Sequence, residues 1–418
     1  MERKTIIIIG GGVAGLVAAR SLSARYQVVI LEAMRRFGGR ICTLDKKAFP
    51  QSIEGGAEFI HGKAVQTIKL LKAAGLTYTK VEGKFYRRKK SNFIIDEDKI
   101  EGWDELLKQM GALEEDLSLN SFLDQYFPGE NHHQLRMQAR AFAEGFDIAD
   151  PDKVSVKSLY REWSNESRDH RIDDGYSALI KFLVKDCRKK GCKLINGSIV
   201  KTLEWENQVV NITTIDNQVF KGSQCIITVP LGVLQDPEGL SISIQPAIPE
   251  YLEAAGKIGY GKVIKVVLTF KSRFWKKDAG FFLSQDDFSA WWTQLPSAVP
   301  VLTGWAGGPK AEALSQQSSS VLLEKAIKSL SDLFLLDVMT LKESLEGWHV
   351  FNWQKQKSIL GGYSYATPET EDALKLLNTP ISETIFFAGE GLYSGDHPGT
   401  IEAAIVSAKN VSDYLLKR

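Results

Sequence analysis

The N-terminal stretch 5–32 constrains the fold of this chain more than any other part of the sequence. Residues 5–9 form a short β-branched run, which is typical of a strand buried on both faces of a parallel sheet. Gly10, Gly12 and Gly15 follow as G-x-G-x-x-G at the start of a helix. The first glycine permits a tight turn, the second lets backbone approach a pyrophosphate, and the third lets helix and strand pack closely. The pattern predicts a Rossmann unit whose helix N-terminus faces phosphate.

A second motif favours FAD over NAD as the dinucleotide. Glu32 ends the predicted strand 27–31, where it is placed to accept a hydrogen bond from a ribose hydroxyl. Arg36, Gly39 and Arg40 belong to an R-x-G-G-R stretch directly after it. Its glycines let the chain pass close to a cofactor, and its arginines present planar donor forks to phosphate. The stretch resembles the second dinucleotide motif of FAD-dependent oxidases, and a plain NAD site requires no such stretch.

Composition limits the partners and the compartment to be expected. At 418 residues, with 44% hydrophobic and 25% charged residues, the chain has the size and composition of a soluble protein of two or more domains. A formal net charge of +1 gives no reason to expect nucleic acid or an anionic membrane as a partner. No run reaches the ~18 apolar residues of a membrane span. The four cysteines resemble neither a disulfide framework nor a metal site, so we expect no metal and a cytoplasmic location.

Periodic segments predict an α/β fold of mixed α+β character. Strands are expected at 198–205, 209–214, 224–229, 264–270, 299–305 and 384–388, and helices at 64–74, 178–190 and 319–335. The stretch 103–163 has a mainly helical pattern typical of an insertion. A Rossmann-type FAD-binding domain is therefore expected to be interleaved with a substrate-binding domain that combines a mixed sheet and a helical insertion. The FAD-binding pieces are expected at 1–75, 178–240 and 366–418, and the substrate-binding pieces at 76–177 and 241–365.

Four motifs together resemble one enzyme family. They are the glycine-rich and R-x-G-G-R stretches near the N-terminus, TVPLGVL at 228–234, GYGKVIKVVLTF at 259–270, and FAGE…PGTIEAA at 387–404. This set is similar to the flavin-containing amine oxidases, which include monoamine oxidases, polyamine and spermine oxidases, and lysine-specific histone demethylases. The resemblance extends over nearly the whole chain.

The resemblance implies further contacts with FAD. Glu390 would lie near the ribityl and phosphate groups, and Val200 would hold the adenine through its backbone. The helix that starts at Gly399 and Thr400 would point its backbone N–H groups at the pyrimidine end of the flavin, where a helix N-terminus stabilises negative charge. Trp353 belongs to a stretch that resembles the loop over the flavin.

Lys265 is the first candidate for a catalytic role. It interrupts an apolar strand pattern, and burial of a lysine without a partner is costly. The sequence leaves two alternatives, an edge-strand lysine that reaches solvent and a buried functional lysine. The resemblance favours the second, and it implies that Lys265 is linked through a water to flavin N5, near where oxygen reacts.

The aromatic lining matches the family only in part. Tyr363 stands where one wall of the family's aromatic cage orients an uncharged amine. Gly362 stands where covalent members have cysteine, so noncovalent FAD is expected. The opposite wall is Thr400, and an aromatic common in the family is replaced by Ser358. The cage is therefore expected to be half open.

His61 is a further candidate catalytic residue. The stretch GGAEFIHG at 55–62 resembles the GAxWIHG stretch of animal polyamine oxidases, where the histidine lies near the substrate. His61 would thus bind or orient an amine, although a structural histidine is an equally good interpretation. His397 lies in a loop expected to face the flavin, without a close counterpart in the family.

The sequence predicts FAD-dependent oxidation of an amine by hydride transfer to flavin N5, with oxygen reduced to hydrogen peroxide. An extended amine, with spermine or spermidine first, is favoured because Thr400 removes a cage wall. One alternative is an L-amino-acid oxidase, with Arg161 as a carboxylate clamp, or a desaturase. Another is a demethylase or an idle FAD-bound interaction module. The carboxylates that would line a polyamine tunnel do not follow from the sequence.

Overall fold

The fold is described by a computed structural model for residues 3–44, 49–90, 92–95, 100–165, 169–236, 242–395 and 397–418. The strands in chain order are β1 (Thr5–Ile9), β2 (Gln27–Glu32), β3 (Thr43–Leu44), β4 (Ile53–Glu54), β5 (Tyr78–Lys80), β6 (Lys84–Lys89), β7 (Asn92–Ile95), β8 (His170–Ile172), β9 (Lys193–Asn196), β10 (Val200–Glu206), β11 (Val209–Thr214), β12 (Val219–Gly222), β13 (Gln224–Ile227), β14 (Ser243–Gln245), β15 (Gly259–Tyr260), β16 (Val263–Phe270), β17 (Ala279–Leu283), β18 (Ala290–Trp292), β19 (Val301–Gly307), β20 (Leu345–Asn352), β21 (Ser364–Tyr365) and β22 (Ile385–Phe387). The α-helices are α1 (Val13–Leu22), α2 (Val65–Ala74), α3 (Trp103–Gly111), α4 (Leu119–Tyr126), α5 (His133–Gly145), α6 (Val156–Trp163), α7 (Tyr176–Lys189), α8 (Leu231–Leu234), α9 (Pro249–Gly256), α10 (Gly308–Leu314), α11 (Ser319–Phe334), α12 (Val338–Ser344), α13 (Thr370–Leu377) and α14 (Ile401–Leu416).

A parallel sheet with the strand order β22-β13-β1-β2-β9 organises one half of the molecule. Alternate residues of β1 enter two different cores because successive side chains of a strand point to opposite faces. Ile6 and Ile8 pack with helices α1, α7 and α14, whereas Ile7 and Ile9 pack on the other side of the sheet. The predicted strand, helix and strand at the N-terminus are present, and the α/β class is confirmed. The strand β9 was not predicted.

A mixed sheet with the order β20-β16-β19-β18-β17-β6-β7 organises the other half. β16 pairs with β19 on one side and β20 on the other, so it is an interior strand. Its pleat sends Ile264, Val266 and Leu268 into a core shared with α11, and it places Lys265 on the opposite face. Lys265 is 1% exposed. The interpretation of Lys265 as an edge-strand lysine that reaches solvent is therefore wrong.

The helical stretch α3 to α6 forms a separate core, as expected for an insertion. A four-stranded sheet, β12-β11-β10-β14, covers the second face of the parallel sheet. Most predicted elements are found with ends shifted by one or two residues, because helix and strand ends depend on local hydrogen bonds. The domain boundaries given above stay a prediction. Among the described residues, no helix has the length and apolar character that a bilayer crossing requires.

We expect Gly15→Ala to destabilise the fold, because an added Cβ would lie 2.1 Å from the backbone oxygen of Gly10. Overpacking of this kind costs about 1–3 kcal/mol, which urea unfolding followed by circular dichroism measures. Gly256→Ala is the matched control, since a Cβ at Gly256 in α9 meets nothing within 4 Å. We expect that control to be neutral or to stabilise by about 0.5–1 kcal/mol. Equal stability of the two variants would contradict the close helix–strand contact.

Candidate active site

A cavity of about 2190 Å³ begins at the carboxyl ends of β1 and β2 and extends to the mixed sheet. This edge of an open parallel sheet is the usual position of a ligand crevice. Segments from both ends and from the middle of the chain line the cavity. Those of the expected site residues that line it are Gly10, Gly12, Glu32, Gly39, Arg40, His61, Val200, Lys265, Trp353, Tyr363, Glu390, Gly399 and Thr400.

Two of the residues expected to bind the cofactor do not line the cavity. Gly15 packs against the backbone of Gly10, which is the role predicted for the third glycine of the motif. Arg36 donates from its two terminal nitrogens to the carbonyl oxygens of Gly39 and Ile41, at 2.8 and 2.7 Å. These two bonds hold the loop in place, and the assignment of Arg36 to a phosphate stays a prediction.

The glycine-rich end of the cavity has space and donors for a dinucleotide. A Cβ built on Gly12, the N-cap of α1, meets nothing within 4 Å, so the space beside this backbone is free. No side chain of the described residues caps α1, and helix N-termini of this kind bind phosphate. Glu32 accepts hydrogen bonds from the backbone N–H groups of Gly11 and Met34, at 2.6 and 2.7 Å. These bonds fix the carboxylate at the cavity wall.

Ser198 is a candidate contact that the sequence did not indicate. Its hydroxyl oxygen is buried without a hydrogen-bond partner among the described residues, and the residue lines the cavity beside Val200. The Ser198 backbone N–H donates to the Glu32 carbonyl at 2.8 Å, which places the hydroxyl near the acid. A buried polar atom requires a partner. The residues at this end therefore fit a nucleotide, and the polar first residue of a predicted strand was the available signal.

An ion pair joins the two ends of the chain at the middle of the cavity. Arg40 Nη1 donates to Glu390 Oε1 at 2.6 Å and to the carbonyl oxygen of Gly362 at 2.7 Å. Glu390 Oε2 accepts from the backbone N–H and the hydroxyl of Ser364, at 3.3 and 2.6 Å. Trp353 is buried nearby, where its indole N–H donates to the Gly55 carbonyl at 3.0 Å. These contacts hold the loop and the last parallel strand at one wall.

Lys265 reaches the cavity from the face of β16 that points away from α11. Its ammonium group donates to Glu58 Oε2 at 2.5 Å and to the Gly56 carbonyl at 3.3 Å. It also lies 5.2 Å from the ring centroid of Trp292. The lysine is thus buried with a carboxylate partner, and the predicted motif GGAEFIHG supplies that partner.

Two aromatic rings form a wall at the far end of the cavity. Tyr363 and Trp305 stack with 6.4 Å between ring centroids and 26° between planes. The Tyr363 hydroxyl donates to the Phe146 carbonyl at 2.6 Å, and the Trp305 indole N–H donates to the Gly145 carbonyl at 2.7 Å. The hydroxyl of Thr400 accepts from the Ala403 N–H at 3.2 Å, so it caps α14. Trp305 ended a predicted strand, and its place in the wall was missed.

A pair of carboxyl groups approaches this aromatic wall. Asp147 is 6% exposed, and its carboxyl faces that of Glu162. Burial raises the pKa of both groups, and the charge of Glu162 adds to the rise at Asp147. The Trp163 indole N–H donates to Asp147 Oδ2 at 3.1 Å, while Oδ1 is buried without a partner among the described residues. The sequence did not indicate which carboxylates converge, and the structure identifies these two.

His61 lies between the acidic pair and a third carboxylate. Its Nδ1 is 3.0 Å from Asp169 Oδ1. Burial alone would lower the pKa of His61, but the hydrogen bond and charge of Asp169, with the charge of Glu162, raise it above its ordinary value. The ring packs edge to face with Phe59 and Phe146. This end of the cavity can therefore hold an amine, because it offers carboxylates and aromatic faces together.

The fold and the cavity are those of a flavin-dependent oxidoreductase, and sequence comparison identifies the class. The sequence profile of flavin-containing amine oxidoreductases matches residues 13–416, so this chain belongs to that family. The predicted resemblance and the predicted enzyme class, a flavin-dependent amine oxidoreductase, are thereby confirmed.

Several relatives are similar over almost the full chain. Polyamine oxidase 2 of Arabidopsis thaliana is 27% identical, covering 96% of this chain and 85% of the relative. Lysine-specific histone demethylase 1 homolog 3 of Oryza sativa subsp. japonica is 25% identical, covering 97% of this chain and 53% of the relative. Among solved structures, wild-type putrescine oxidase bound to putrescine matches with a TM-score of 0.81 at 16% identity, covering 100% of this chain and 99% of the other. Cyclohexylamine oxidase from Brevibacterium oxydans IH-35A matches with a TM-score of 0.79 at 19% identity, covering 100% of both chains.

We expect Asp169→Asn to lower the pKa of His61, because burial remains while the partner's charge is lost. Because the pKa of His61 is raised in the folded state, its contact with Asp169 stabilises the fold fully when the pH is below about 6.5. This stabilisation is lost as the pH rises through the pKa that His61 has in the folded protein. Relative to the wild type, Asp169→Asn should therefore lose more stability at acidic pH than at alkaline pH. Titration of the His61 ring by NMR measures the shift. Asp173→Asn is the control, since Asp173 binds Thr77 and Thr79; an equal shift in both variants would contradict the pairing.

Proposed function

We propose that this chain binds FAD noncovalently and uses it to oxidise an extended amine, with oxygen as the electron acceptor and hydrogen peroxide as the product. The observation that carries this proposal is the composition of one cavity. Its inner end has a glycine-rich cradle, the N-terminus of α1 and Glu32, whereas its outer end has aromatic faces and paired carboxyl groups. Lys265 lines the same cavity.

The residues along the cavity support FAD as the cofactor. The free space at Gly12 and the donors of α1 suit the pyrophosphate, and Glu32 with Ser198 suits the ribose. We assign Val200 to the adenine, and Gly39, Arg40 and Glu390 to the groups between the adenine and the flavin ring. Trp353, Gly399 and Thr400 are assigned to the flavin ring, and all seven residues line the cavity.

Noncovalent binding is favoured by the absence of a cysteine at the described cavity wall. A Cβ built on Gly362 would lie 2.8 Å from the side chain of Ile148 and 3.0 Å from that of Val263, so a cysteine at this position would displace the ends of those side chains. None of Cys42, Cys187, Cys192 and Cys225 is among the described residues that line the cavity. Their thiols are free, which suits a reducing compartment such as the cytoplasm.

We expect acid precipitation of the yellow protein to leave its flavin in the supernatant. Chromatography of that supernatant against FAD and FMN standards identifies the cofactor. The Gly362→Cys variant is a sterically strained comparison, and it should hold less flavin than the wild type. Flavin that stays with the peptides after proteolysis would contradict noncovalent binding.

Each residue near the reacting end has a proposed task. When bound, the flavin accepts a hydride from the carbon beside the amine nitrogen and passes electrons to oxygen. Lys265 holds a water and supplies positive charge at this face of the cavity. Tyr363 and Trp305 orient the amine and exclude water from it. His61, fixed by Asp169, holds a proton and donates a hydrogen bond at the amine end.

We expect Lys265→Met to slow the reaction of reduced flavin with oxygen by about 10- to 1000-fold, the scale of one preorganised electrostatic group. The substitution keeps the length of the side chain and removes a buried charge, so the fold and the flavin should be retained. Stopped-flow mixing of the reduced enzyme with oxygen measures the rate. Lys262→Met is the control, because that lysine donates to the Leu360 carbonyl and does not line the cavity. Wild-type rates in the Lys265 variant would contradict the assigned role.

An extended amine is favoured by the charge of the outer end. Among the described residues, no N–H or hydroxyl group donates to the buried Asp147 Oδ1, and the carboxyl groups of Glu162 and Asp169 lie close by. A carboxyl pair in this setting binds a second ammonium group of a diamine or polyamine, because the pair then gains both charge and hydrogen bonds. The likeness to a plant polyamine oxidase agrees with this substrate class.

We expect spermine or N-acetylspermine to reduce the flavin faster than benzylamine and leucine at equal concentration in stopped-flow experiments under nitrogen. Asp147→Asn should raise the polyamine concentration needed for half-maximal reduction by about 10- to 100-fold, the effect of losing one partner of a charged hydrogen bond. The rate with benzylamine should change little. Asp150→Asn is the control, because Asp150 lies in the same segment and pairs with Lys153. Reduction by benzylamine or leucine without reduction by a polyamine would refute the substrate class.

The rival functions receive less support. Arg161, the expected clamp of an amino-acid oxidase, is exposed, and its Nε donates to the Lys157 carbonyl at 3.3 Å. It is not among the described residues that line the cavity, which does not favour a carboxylate clamp at Arg161. A desaturase or an idle FAD-bound module predicts that no amine bleaches the flavin, which the same stopped-flow panel examines.

A further inference from the structure

Glu58 connects the catalytic lysine to a second buried cation. Its Oε2 accepts from Lys265 Nζ at 2.5 Å. Its Oε1 accepts from Arg171 Nε at 2.8 Å and from the Trp292 indole N–H at 3.0 Å. The side chains of Glu58, Lys265 and Arg171 are 3%, 1% and 15% exposed, so water contributes little to their stability. One carboxylate therefore compensates two buried cations.

The carboxylate is itself held in its charged form. Burial would raise the pKa of Glu58, but the charges of Lys265 and Arg171, followed by hydrogen bonds from Lys265 and Trp292, lower it below its ordinary value. Glu54 is the next acidic group, and its carboxylate is occupied by the hydroxyl of Thr43 and the backbone N–H of Tyr176. Glu58 is thus the acid in direct contact with both cations.

The same contacts fix the direction of the ammonium group. Lys265 gives one hydrogen to Glu58 and one to the Gly56 carbonyl, and an ammonium group has three donors. Lys265 and Glu58 both line the cavity, so the third donor is left for it. Without the carboxylate, a lysine buried beside an arginine would favour its neutral form, because both burial and the like charge oppose ionisation.

We propose that Glu58 is a positioning residue that keeps Lys265 charged and fixes its ammonium group at the flavin end of the cavity. This inference rests on the proposed function, since it assumes a flavin bound beside Lys265. Glu58 acts through the lysine and has no contact with the reacting atoms. The cluster of Lys265, Glu58 and Arg171 then determines how strongly this face stabilises negative charge on the cofactor.

The affinity for sulfite tests this proposal without an amine substrate. Sulfite forms a negatively charged adduct with protein-bound flavin, so its Kd reports positive charge beside the ring. Glu58→Gln keeps the shape of the side chain and removes its charge. At each pH, the sulfite Kd of Glu58→Gln is divided by the sulfite Kd of the wild type. We expect this Kd ratio to rise at least about tenfold between pH ~6 and pH ~9, because Lys265 loses its proton in the variant. The ratio cancels the titration of sulfite itself.

Three further variants separate the possible causes. Lys265→Met should bind sulfite weakly at every pH. At high pH, the double variant Glu58→Gln/Lys265→Met should have the same sulfite Kd as Lys265→Met, because Glu58 acts through the lysine. Glu58→Asp keeps the charge, so its Kd ratio to the wild type should stay constant with pH. This variant remains informative if Glu58→Gln does not fold.

A flat ratio for Glu58→Gln, or the same rise in Glu58→Asp, would overturn the inference. So would an undiminished effect of Glu58→Gln in the Lys265→Met background. These outcomes differ from a failure of the proposed function. That failure would appear as a wild-type protein that binds no flavin, or whose flavin no amine reduces, whereas the inference fails while wild-type flavin is bound and reduced normally.

Discussion

The contact between Arg40 and Glu390 connects parts of the chain that are far apart in sequence. Arg40 follows β2, Glu390 follows β22, and the same two side chains bind Gly362 and Ser364 before and within β21. An ion pair of this burial depends on good geometry, and removal of one partner costs about 3–5 kcal/mol because the other charge is left behind. The cavity wall therefore exists only when the first, middle and last segments are assembled.

Local patterns in the sequence were sufficient to predict the strands and helices that carry these contacts. The β-branched run of β1 with its three glycines predicted strand, turn and helix, because each feature depends on neighbouring residues alone. Lys265 was recognised as unusual because the side chains of a strand point alternately to its two faces and the residues beside Lys265 are apolar. β9 was missed because its four residues, Lys193-Leu-Ile-Asn196, contain only two apolar side chains. Such a short strand is recognisable only by its pairing with β2.

Contacts between distant segments were beyond local reasoning. Asp147, Glu162 and Asp169 lie on different segments, and only the tertiary fold brings them to one end of the cavity. Arg36 was assigned to phosphate by its motif, and the motif did not predict the two hydrogen bonds that its terminal nitrogens donate to carbonyls of its own loop. Residue type limited the possible chemistry in each case, but the position of the partner determined the role.

The two ends of the cavity have opposite requirements and are built from different cores. The end proposed to hold the cofactor offers backbone donors from α1 and lies on the parallel sheet, where a phosphate needs positive partial charge. The end proposed to hold the amine places Asp147 and Glu162 near Tyr363, which stacks on Trp305.

Two hydrogen bonds join the insertion to this aromatic wall, from Tyr363 to the Phe146 carbonyl and from Trp305 to the Gly145 carbonyl. The acceptors are backbone atoms directly before Asp147, so the rings and the carboxylate keep a fixed relation. Because the acceptors are backbone groups, side chains of the insertion can change without loss of either bond. Substrate preference can then vary in the insertion while the cofactor end, anchored by Arg40 and Glu390, keeps its geometry.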